Sequence, residues 1–261
     1  MKKLCSLLVF AFIAHVCTAQ LVGKINDPVE WVNPLMGTES GYDLSNGNTY
    51  PAIALPWGMN FWTPQTGKNG DGWQYTYDAH KIRGFKQTHQ PSPWMNDYGQ
   101  FSIMPVSGHT AISQDQRASW FSHKTEIVKP YYYSVYLADH DITAELTPTE
   151  RSAQFRFTYP ESDSSSIVID AFAKGSYIKI IPAENKIIGY STQFAHGPLK
   201  NFKNYFVIYT DKPFTIAHTY NDTAMGDGLE LTANHVVAAI FFKTVKGGQV
   251  HVRVASSFIS F

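Results

Sequence analysis

Tryptophan, histidine and acidic side chains are concentrated, together with proline and glycine, in two segments of the chain, residues 47–67 and 84–108. The side chains that stand out there are Trp57, Trp62, Trp94, His89 and Asp97. Because proline and glycine interrupt strand ladders and helices, both segments predict rigid loops and not core strands. Flat rings beside hydrogen-bonding groups suit a ligand with an apolar face and a rim of hydroxyls, such as a sugar.

Trp94 is the strongest candidate for a sugar contact. It follows Pro91-Ser92-Pro93, and the two prolines stiffen the backbone on which the indole is carried. One interpretation is an exposed ring on which a sugar stacks. The other is a ring packed beneath its own loop.

His89 and Asp97 flank the same prolines, and their pattern leaves two interpretations open. Either they donate and accept hydrogen bonds with substrate hydroxyls, or they fix the loop by bonding to nearby backbone. A metal-binding role is disfavoured, since one histidine and one carboxylate are too few ligands for a closed site.

Thr38 ends the sequence Asn-Pro-Leu-Met-Gly-Thr of residues 33–38. The sequence lacks the Gly-Lys-Ser/Thr ending of a phosphate-binding loop. Gly37 therefore indicates a backbone requirement in a turn, and Thr38 is a candidate to reach the sugar from that turn.

Asp139, Asp141 and Glu145 form an acidic group whose composition would suit calcium. The spacing lacks the central glycine and final glutamate of an EF-hand loop. A solvated face between two strands is the favoured interpretation.

The elements that must position these residues are strands. Polar and apolar residues alternate over 154–159 and 250–254, and turn signals recur about every 8–15 residues, a pattern typical of an antiparallel sandwich. Residues 176–181 and 186–192 flank Pro182-Ala183-Glu184-Asn185 and predict a hairpin, and residues 131–136 predict a strand with tyrosines on both faces. We find no long stretch with helical periodicity, so few and short helices are expected.

The first 19 residues have the pattern of a secretory signal. Lys2 and Lys3 precede an apolar run over residues 4–16, and Ala19 offers a small residue for cleavage before Gln20. Both cysteines of the chain fall within this segment, so the exported chain would have neither a disulfide nor a thiol nucleophile. It would keep 19 basic and 21 acidic residues, which disfavours nucleic acid and anionic membranes as partners.

The order of several motifs resembles the amino-terminal domain of glycoside hydrolase family 92, the exo-acting α-mannosidases. The matching stretches are VNPLMGT (32–38), NTYPAIALPWGM (48–59), IRGFKQTHQPSPWMNDYGQFSIMP (82–105), the strand-rich run from Tyr131 to Pro160, and VRVASSFISF (252–261). They cover nearly all of the chain that follows residue 19.

The resemblance implies an exported, calcium-dependent enzyme that removes terminal α-linked mannose with inversion. It implies two domains: a large β-sandwich of the supersandwich, galactose-mutarotase-like kind over residues 20–261, and an (α/α)6 barrel. The barrel, which holds the acid, the base and the calcium in the family, is expected to be missing here. The sequence therefore nominates neither a catalytic pair nor metal ligands in this chain. In the family, a tryptophan of the Trp94 loop serves members that cut α-1,2 linkages.

Two functions remain open from the sequence. The first is the amino-terminal domain of a periplasmic or extracellular α-mannosidase that acts on mannose-containing glycans. The second is a non-catalytic carbohydrate-binding or scaffold module, or an inactive truncated fragment.

Overall fold

The computed structural model describes residues 27–39, 49–68, 74–89, 98–194, 199–222 and 224–261. The chain divides into two compact units, Met1–Val32 and Asn33–Phe261. In the described part of the first unit, Pro28–Trp31 forms a 3-10 helix. The carboxylate of Asp27 begins this helix by accepting a hydrogen bond of 3.2 Å from the backbone N–H of Val29.

The described part of the second unit consists of β-strands and two short 3-10 helices, His123–Thr125 and Pro182–Glu184. Almost half of the described residues, 49%, lie in strands. The prediction of an all-β chain with few short helices is therefore confirmed. In chain order the strands are β1 (Phe61–Gln65), β2 (Lys81–Ile82), β3 (Gly84–Thr88), β4 (Phe101–Val106), β5 (Ser119–Trp120), β6 (Ile127–Lys129), β7 (Tyr132–Leu137), β8 (Ile142–Pro148), β9 (Ser152–Tyr159), β10 (Ser162–Asp170), β11 (Ser176–Ile181), β12 (Lys186–Ser191), β13 (Asn204–Thr210), β14 (Ile216–Tyr220), β15 (Glu230–Ala233), β16 (Val237–Thr244) and β17 (Gly248–Ser257).

The strands form two large antiparallel sheets. The six-stranded sheet has the order β1-β3-β4-β10-β16-β14, and the nine-stranded sheet has the order β15-β11-β12-β13-β17-β9-β8-β7-β6. Strands β2 and β5 pair separately. Aromatic rings from both large sheets meet in one core, where Phe101 of β4 stacks on Phe206 of β13 with ring centroids 4.4 Å apart. The predicted antiparallel sandwich is confirmed.

The nine-stranded sheet follows the alternation of the sequence. Along β9, Ala153, Phe155, Phe157 and Tyr159 are buried while the residues between them are half-buried or exposed. The predicted hairpin is β11 and β12, and Asn185 supplies the left-handed residue of its turn at φ 50°. One face of this sheet therefore packs on the core and the other is open.

The prediction of rigid loops over residues 47–67 and 84–108 is wrong for β1, β3 and β4, which are mostly or fully buried strands; of these, the sequence indicates only the strand candidate at residues 100–104. Trp62 shows the difference most clearly. It lies in β1, is fully buried, and packs edge-on against Phe101 at 5.8 Å and Phe155 at 5.1 Å. In the sequence Pro64 argues against a strand, but β1 lies at the edge of its sheet. Proline is tolerated there because one side of an edge strand forms no hydrogen bonds with a neighbouring strand. The indole of Trp62 thus joins the two sheets and is not available as a recognition surface.

The central part of the six-stranded sheet is buried on both faces. Every residue of β3 and β4 is buried, so Lys86, Ser102 and Asp170, which pair across three strands, carry polar groups into the interior. The carboxylate of Asp170 accepts a hydrogen bond of 2.6 Å from the guanidinium of Arg117, which is also fully buried. Loop residues thereby neutralise a charge that the strand places inside the protein.

His235 completes this ion network. Its Nε2 lies 2.8 Å from Asp170 and its Nδ1 lies 2.5 Å from the exposed Asp222. Burial disfavours the ionised form of Asp170, but the Arg117 guanidinium and then His235 outweigh it and lower the pKa of Asp170 to about 2. Burial likewise opposes the charged imidazole, but the hydrogen bonds and charges of Asp170 and Asp222 raise the pKa of His235 to about 9.

In the part of the chain that the structure describes, no helix is long and apolar enough to cross a membrane.

The buried ion pair predicts a large effect of Arg117→Met on stability. The substitution leaves the Asp170 carboxylate without its main counter-charge, and we expect the free energy of unfolding to fall by about 3–5 kcal/mol. Urea unfolding measures this loss. The matched control is Lys243→Met, which removes an exposed pair with Asp163 and should leave the unfolding midpoint where it is. Equal effects of the two substitutions would contradict the structural role of Arg117.

The same network predicts a pH window of stability. The folded-state pKa of Asp170 is about 2 and lies below the ordinary value, so its contribution is present above about pH 4 and is lost as the pH falls towards 2. The folded-state pKa of His235 is about 9 and lies above the ordinary value of 6.5, so its contribution is complete below pH 6.5 and is lost as the pH rises to about 9. Denaturation series at stepped pH should show that His235→Gln removes the loss of stability between pH 6.5 and about 9. It should also shrink the acid-side loss, which Arg117 maintains in part, since His235 helps to lower the pKa of Asp170.

Candidate functional site

Four strand ends meet at one end of the sandwich and surround a buried polar cluster. The cluster contains the side chains of Gln87 in β3, Asn204 at the start of β13, and Ser256 near the end of β17. Asn60, which precedes β1, and His89, which follows β3, complete it. We call these five residues the polar hub.

Asn204 is the centre of the polar hub. Its Nδ2 lies 2.9 Å from Oε1 of Gln87, 2.6 Å from the carbonyl oxygen of Gly99 and 3.3 Å from Nε2 of His89. The other ring nitrogen of His89, Nδ1, lies 3.2 Å from the carbonyl oxygen of Met59. A neutral imidazole with its proton on Nδ1 donates to Met59, and its Nε2 faces the Asn204 amide, whose two hydrogens are shared among Gln87, Gly99 and His89.

The hydroxyl of Ser256 closes the other side of the polar hub. It accepts hydrogen bonds from Nδ2 of Asn60 at 3.0 Å and from Nε2 of Gln87 at 3.1 Å, and it donates to Oδ1 of Asn60 at 3.3 Å. All of its hydrogen-bonding capacity is thus used within the protein. The two sheets are therefore joined at this end by hydrogen bonds between amide and hydroxyl groups.

Aromatic rings form a shell beside the polar hub. The ring of Tyr98 stacks on His89 with centroids 5.4 Å apart, and Phe258 approaches His89 to 5.0 Å. Phe202 meets Tyr98 edge-on at 5.7 Å, and Phe194 lies 6.2 Å from Tyr98. This shell fixes His89 and Tyr98 next to each other.

His89 and Tyr98 are the described residues on either side of residues 90–97. Trp94 and Asp97 belong to that segment and lie outside the described residues. The structure nevertheless shows that the segment begins and ends at the polar hub, since the rings on its two sides are stacked. Of the candidates for sugar contact, His89 is at this site with both ring nitrogens in contact with protein atoms.

Thr38 lies elsewhere in the described structure and is fully buried. Its hydroxyl donates to the carbonyl oxygen of Leu35 at 2.8 Å, and its own carbonyl accepts from the backbone N–H of Tyr77 at 3.0 Å. Residues of this turn and Tyr77 line a cleft of about 430 Å³. No described contact joins Thr38 to the polar hub.

The three acids singled out in the sequence do not converge. Asp139 accepts from the backbone N–H of Trp120 at 3.1 Å, and Asp141 accepts from the hydroxyl of Tyr136 at 2.7 Å. Glu145 instead accepts hydrogen bonds from the guanidinium of Arg156, the leading cause that lowers its pKa. Among the described residues, no group of three or more histidine, cysteine or acidic side chains could hold a metal ion. The described side chains therefore do not fit a calcium site.

Sequence reasoning missed Asn204, Gln87 and Ser256. Asn204 is 117 positions from Gln87 and 105 from Gly99, so no local spacing connects them. Gly99 is the one contact of Asn204 that the sequence indicates, since it ends the Asp-Tyr-Gly of the family motif at residues 82–105. Its φ of +63° and its closeness to Asn204 both require a residue without a side chain.

Comparison with known proteins gives one family. The family model described as the glycosyl hydrolase family 92 N-terminal domain matches residues 31–257. A solved inverting mannosidase of family 92 from Bacteroides thetaiotaomicron VPI-5482 is 44% identical, with a TM-score of 0.86, over 91% of this chain and 32% of that one.

A second solved structure and one curated protein are also similar to this chain. A solved family 92 α-mannosidase from Bacteroides thetaiotaomicron, in complex with mannoimidazole, is 30% identical with a TM-score of 0.76, over 89% of this chain and 32% of that one. A protein of Arthroderma benhamiae described as an uncharacterized secreted glycosidase is 24% identical over 168 residues, which are 62% of this chain and 21% of that protein. The chain thus spans about a third of the solved relatives and about a fifth of the curated one.

The polar hub predicts that Gly99 tolerates no side chain. A Cβ on Gly99 would lie 2.5 Å from Cβ of Asn204, whereas a Cβ on Gly108, at a similar φ of +80°, would meet nothing within 4 Å. Gly108→Ala should therefore lower the free energy of unfolding by about 1 kcal/mol, through the backbone conformation alone. Gly99→Ala should cost roughly 1–3 kcal/mol more, since a packed site must move. Chemical denaturation of both variants gives the difference, and equal losses would mean that Asn204 does not pack against Gly99.

Proposed function

The chain belongs to glycosyl hydrolase family 92 as its N-terminal domain, and from that premise we propose that it is the N-terminal part of an exported exo-α-mannosidase. In this proposal the enzyme is calcium-dependent, inverts the anomeric centre, and removes α-1,2-linked mannose from glycans. The observation that carries the proposal is the 44% identity to an inverting mannosidase over 91% of this chain.

The domain's contribution is a preorganised part of the sugar site. Residues 90–97 start and end at the polar hub, where the stacked rings of His89 and Tyr98 hold the two ends together. Pro91 and Pro93 stiffen the segment between them. In the proposal, Trp94 offers its ring to the apolar face of the sugar and Asp97 accepts hydrogen bonds from hydroxyl groups.

His89 and Thr38 have supporting roles in this proposal. Both ring nitrogens of His89 contact protein atoms, so its part is to hold the first end of the segment. Thr38 uses its hydroxyl on Leu35 and shapes the cleft beside Tyr77. Each residue would act on the sugar through the backbone that it fixes.

The reaction itself is assigned to the remainder of a family 92 chain. Inversion needs a general acid and a general base about 6.5–9.5 Å apart with a water between them. We place these carboxylates and the calcium in the (α/α)6 domain, where the resemblance to family 92 puts them. Calcium would supply Lewis-acid and charge-neutralising chemistry there.

Export is proposed from residues 1–19, whose basic start, apolar run and Ala19 have the signal-peptide pattern. The description of the Arthroderma benhamiae relative as secreted supports the same compartment. The substrate would then be an extracellular or periplasmic glycan.

A chimera tests the proposal. Residues 20–261 are joined to the part of the 44%-identical mannosidase that follows its matched domain, and hydrolysis of α-1,2- and α-1,3-linked mannobiose is followed by proton NMR. We expect release of β-mannose from the α-1,2 substrate, loss of activity on chelation of calcium, and no turnover by residues 20–261 alone. Binding of mannobiose without hydrolysis by a folded chimera would favour the carbohydrate-binding module. A chimera that neither binds nor hydrolyses it would favour an inactive fragment.

Trp94→Ala in this chimera separates a sugar contact from a core residue. Loss of a stacking contact on a stiff backbone should lower kcat/KM by roughly 5- to 150-fold, or about 1–3 kcal/mol, with little change in Tm. A buried indole would instead cost about 3–5 kcal/mol of stability and several degrees in Tm. Unchanged kinetics in a destabilised protein would place Trp94 in the core.

A further inference from the structure

Trp57 is fully exposed, at 100% of its possible surface, although Trp62 five positions later is fully buried. No other large apolar residue among those described reaches this exposure; Ile259 follows at 88%. An indole left in water adds no hydrophobic stabilisation to its own domain. The side chain of Trp57 therefore has no part in holding the described fold together.

The backbone of Trp57 is strained as well. Residues 55–58 form a turn closed by the backbone N–H of Gly58 and the carbonyl oxygen of Leu55, 3.0 Å apart. Trp57 occupies the third position of this turn with φ 63°, the left-handed conformation that type II turns normally reserve for glycine or asparagine. A bulky residue there raises the free energy of the folded chain.

Several contacts keep this turn rigid. The backbone N–H of Ala54 donates to the carbonyl oxygen of Pro130 at 2.8 Å, and that of Met59 donates to the carbonyl oxygen of Glu150 at 2.8 Å. Pro56 fixes its own φ immediately before Trp57. The carbonyl of Met59 also lies 3.2 Å from Nδ1 of His89, which connects the turn to the polar hub.

Exposure and strain together disfavour Trp57 in the isolated fold, and such costs are usually kept where a residue has a function. We propose that Trp57 is a second saccharide-stacking residue of this domain, separate from residues 90–97, and that it takes the ring of an α-linked hexose in a glycan. The inference rests on the proposed function.

The surroundings favour a sugar. Backbone hydrogen bonds fix the position from which the indole projects, so a pyranose that stacks on its face has only the side chain to order. Glu150, whose carbonyl oxygen accepts a hydrogen bond from the backbone N–H of Met59, and Arg151 after it are exposed charged residues near the turn. Charged groups of this kind form hydrogen bonds with the hydroxyls of a hexose.

Native affinity electrophoresis of the 261-residue chain in gels that contain a soluble α-linked mannan tests this site, with dextran gels as the reference. We expect the mannan to retard the wild-type chain, and Trp57→Ala and Trp57→Gly to bind roughly tenfold or more weakly. The matched control is Trp120→Ala, which removes a half-exposed indole from β5 and should keep wild-type retardation.

Thermal unfolding of the same variants reports on the strain. Glycine relieves a positive φ and alanine does not, so Trp57→Gly should melt above Trp57→Ala by about 2 °C, the reverse of their order at an ordinary position. A Trp57→Ala protein that melts several degrees below the wild type would mean that the indole packs within the fold, and this would overturn the inference.

The remaining outcomes are equally decisive. If mannan retards both Trp57 variants as much as the wild-type chain, then Trp57 does not bind the glycan. A wild-type chain that mannan does not retard would also overturn the inference, while hydrolysis by the chimera would still decide the proposed function separately. A concentration-dependent dimer that dissociates on Trp57→Gly would assign the turn to self-association instead.

Discussion

The burial of both faces of β3 and β4, in the middle of the six-stranded sheet, is the constraint on which the rest of the structure depends. A sandwich strand normally leaves one face in water, but β3 and β4 are buried throughout. A polar side chain on the outward face must then find a partner from a loop, because an unpaired buried charge is far costlier than a paired one. Arg117 meets this need for Asp170, and His235 adds a second cation. The loops over this sheet are thus held by the sheet's own polar groups.

The polar hub follows from the same constraint at the strand ends. There the apolar packing of Phe101 on Phe206 gives way to hydrogen bonds between amides and hydroxyls of the two sheets. Hydrogen bonds are directional, so Asn204 fixes the positions of Gly99 and His89 more narrowly than apolar contacts would. His89 and Tyr98, the described residues on either side of residues 90–97, are thereby held next to each other.

Trp57 and Trp62 lie in one short segment but in opposite environments. Trp62 contributes its whole ring to the core between the sheets, while Trp57 is exposed on a strained turn. The fold can carry that strain because backbone hydrogen bonds to Pro130 and Glu150 hold the turn on both sides. Natural proteins commonly accept such local costs at functional sites.

The sequence by itself determined the fold class, the family and most strands after Tyr131. Alternation places Phe155 and Phe157 on one face of β9 whatever the partner strands are, because the side-chain period of a strand is two. The segment before Phe101 was harder, since Pro64 is read as a breaker until the strand order places β1 at an edge. Only the tertiary structure decided which polar residues meet. Asn204 and Gln87 are 117 positions apart, and no local pattern records a pairing that exists only once two sheets have packed.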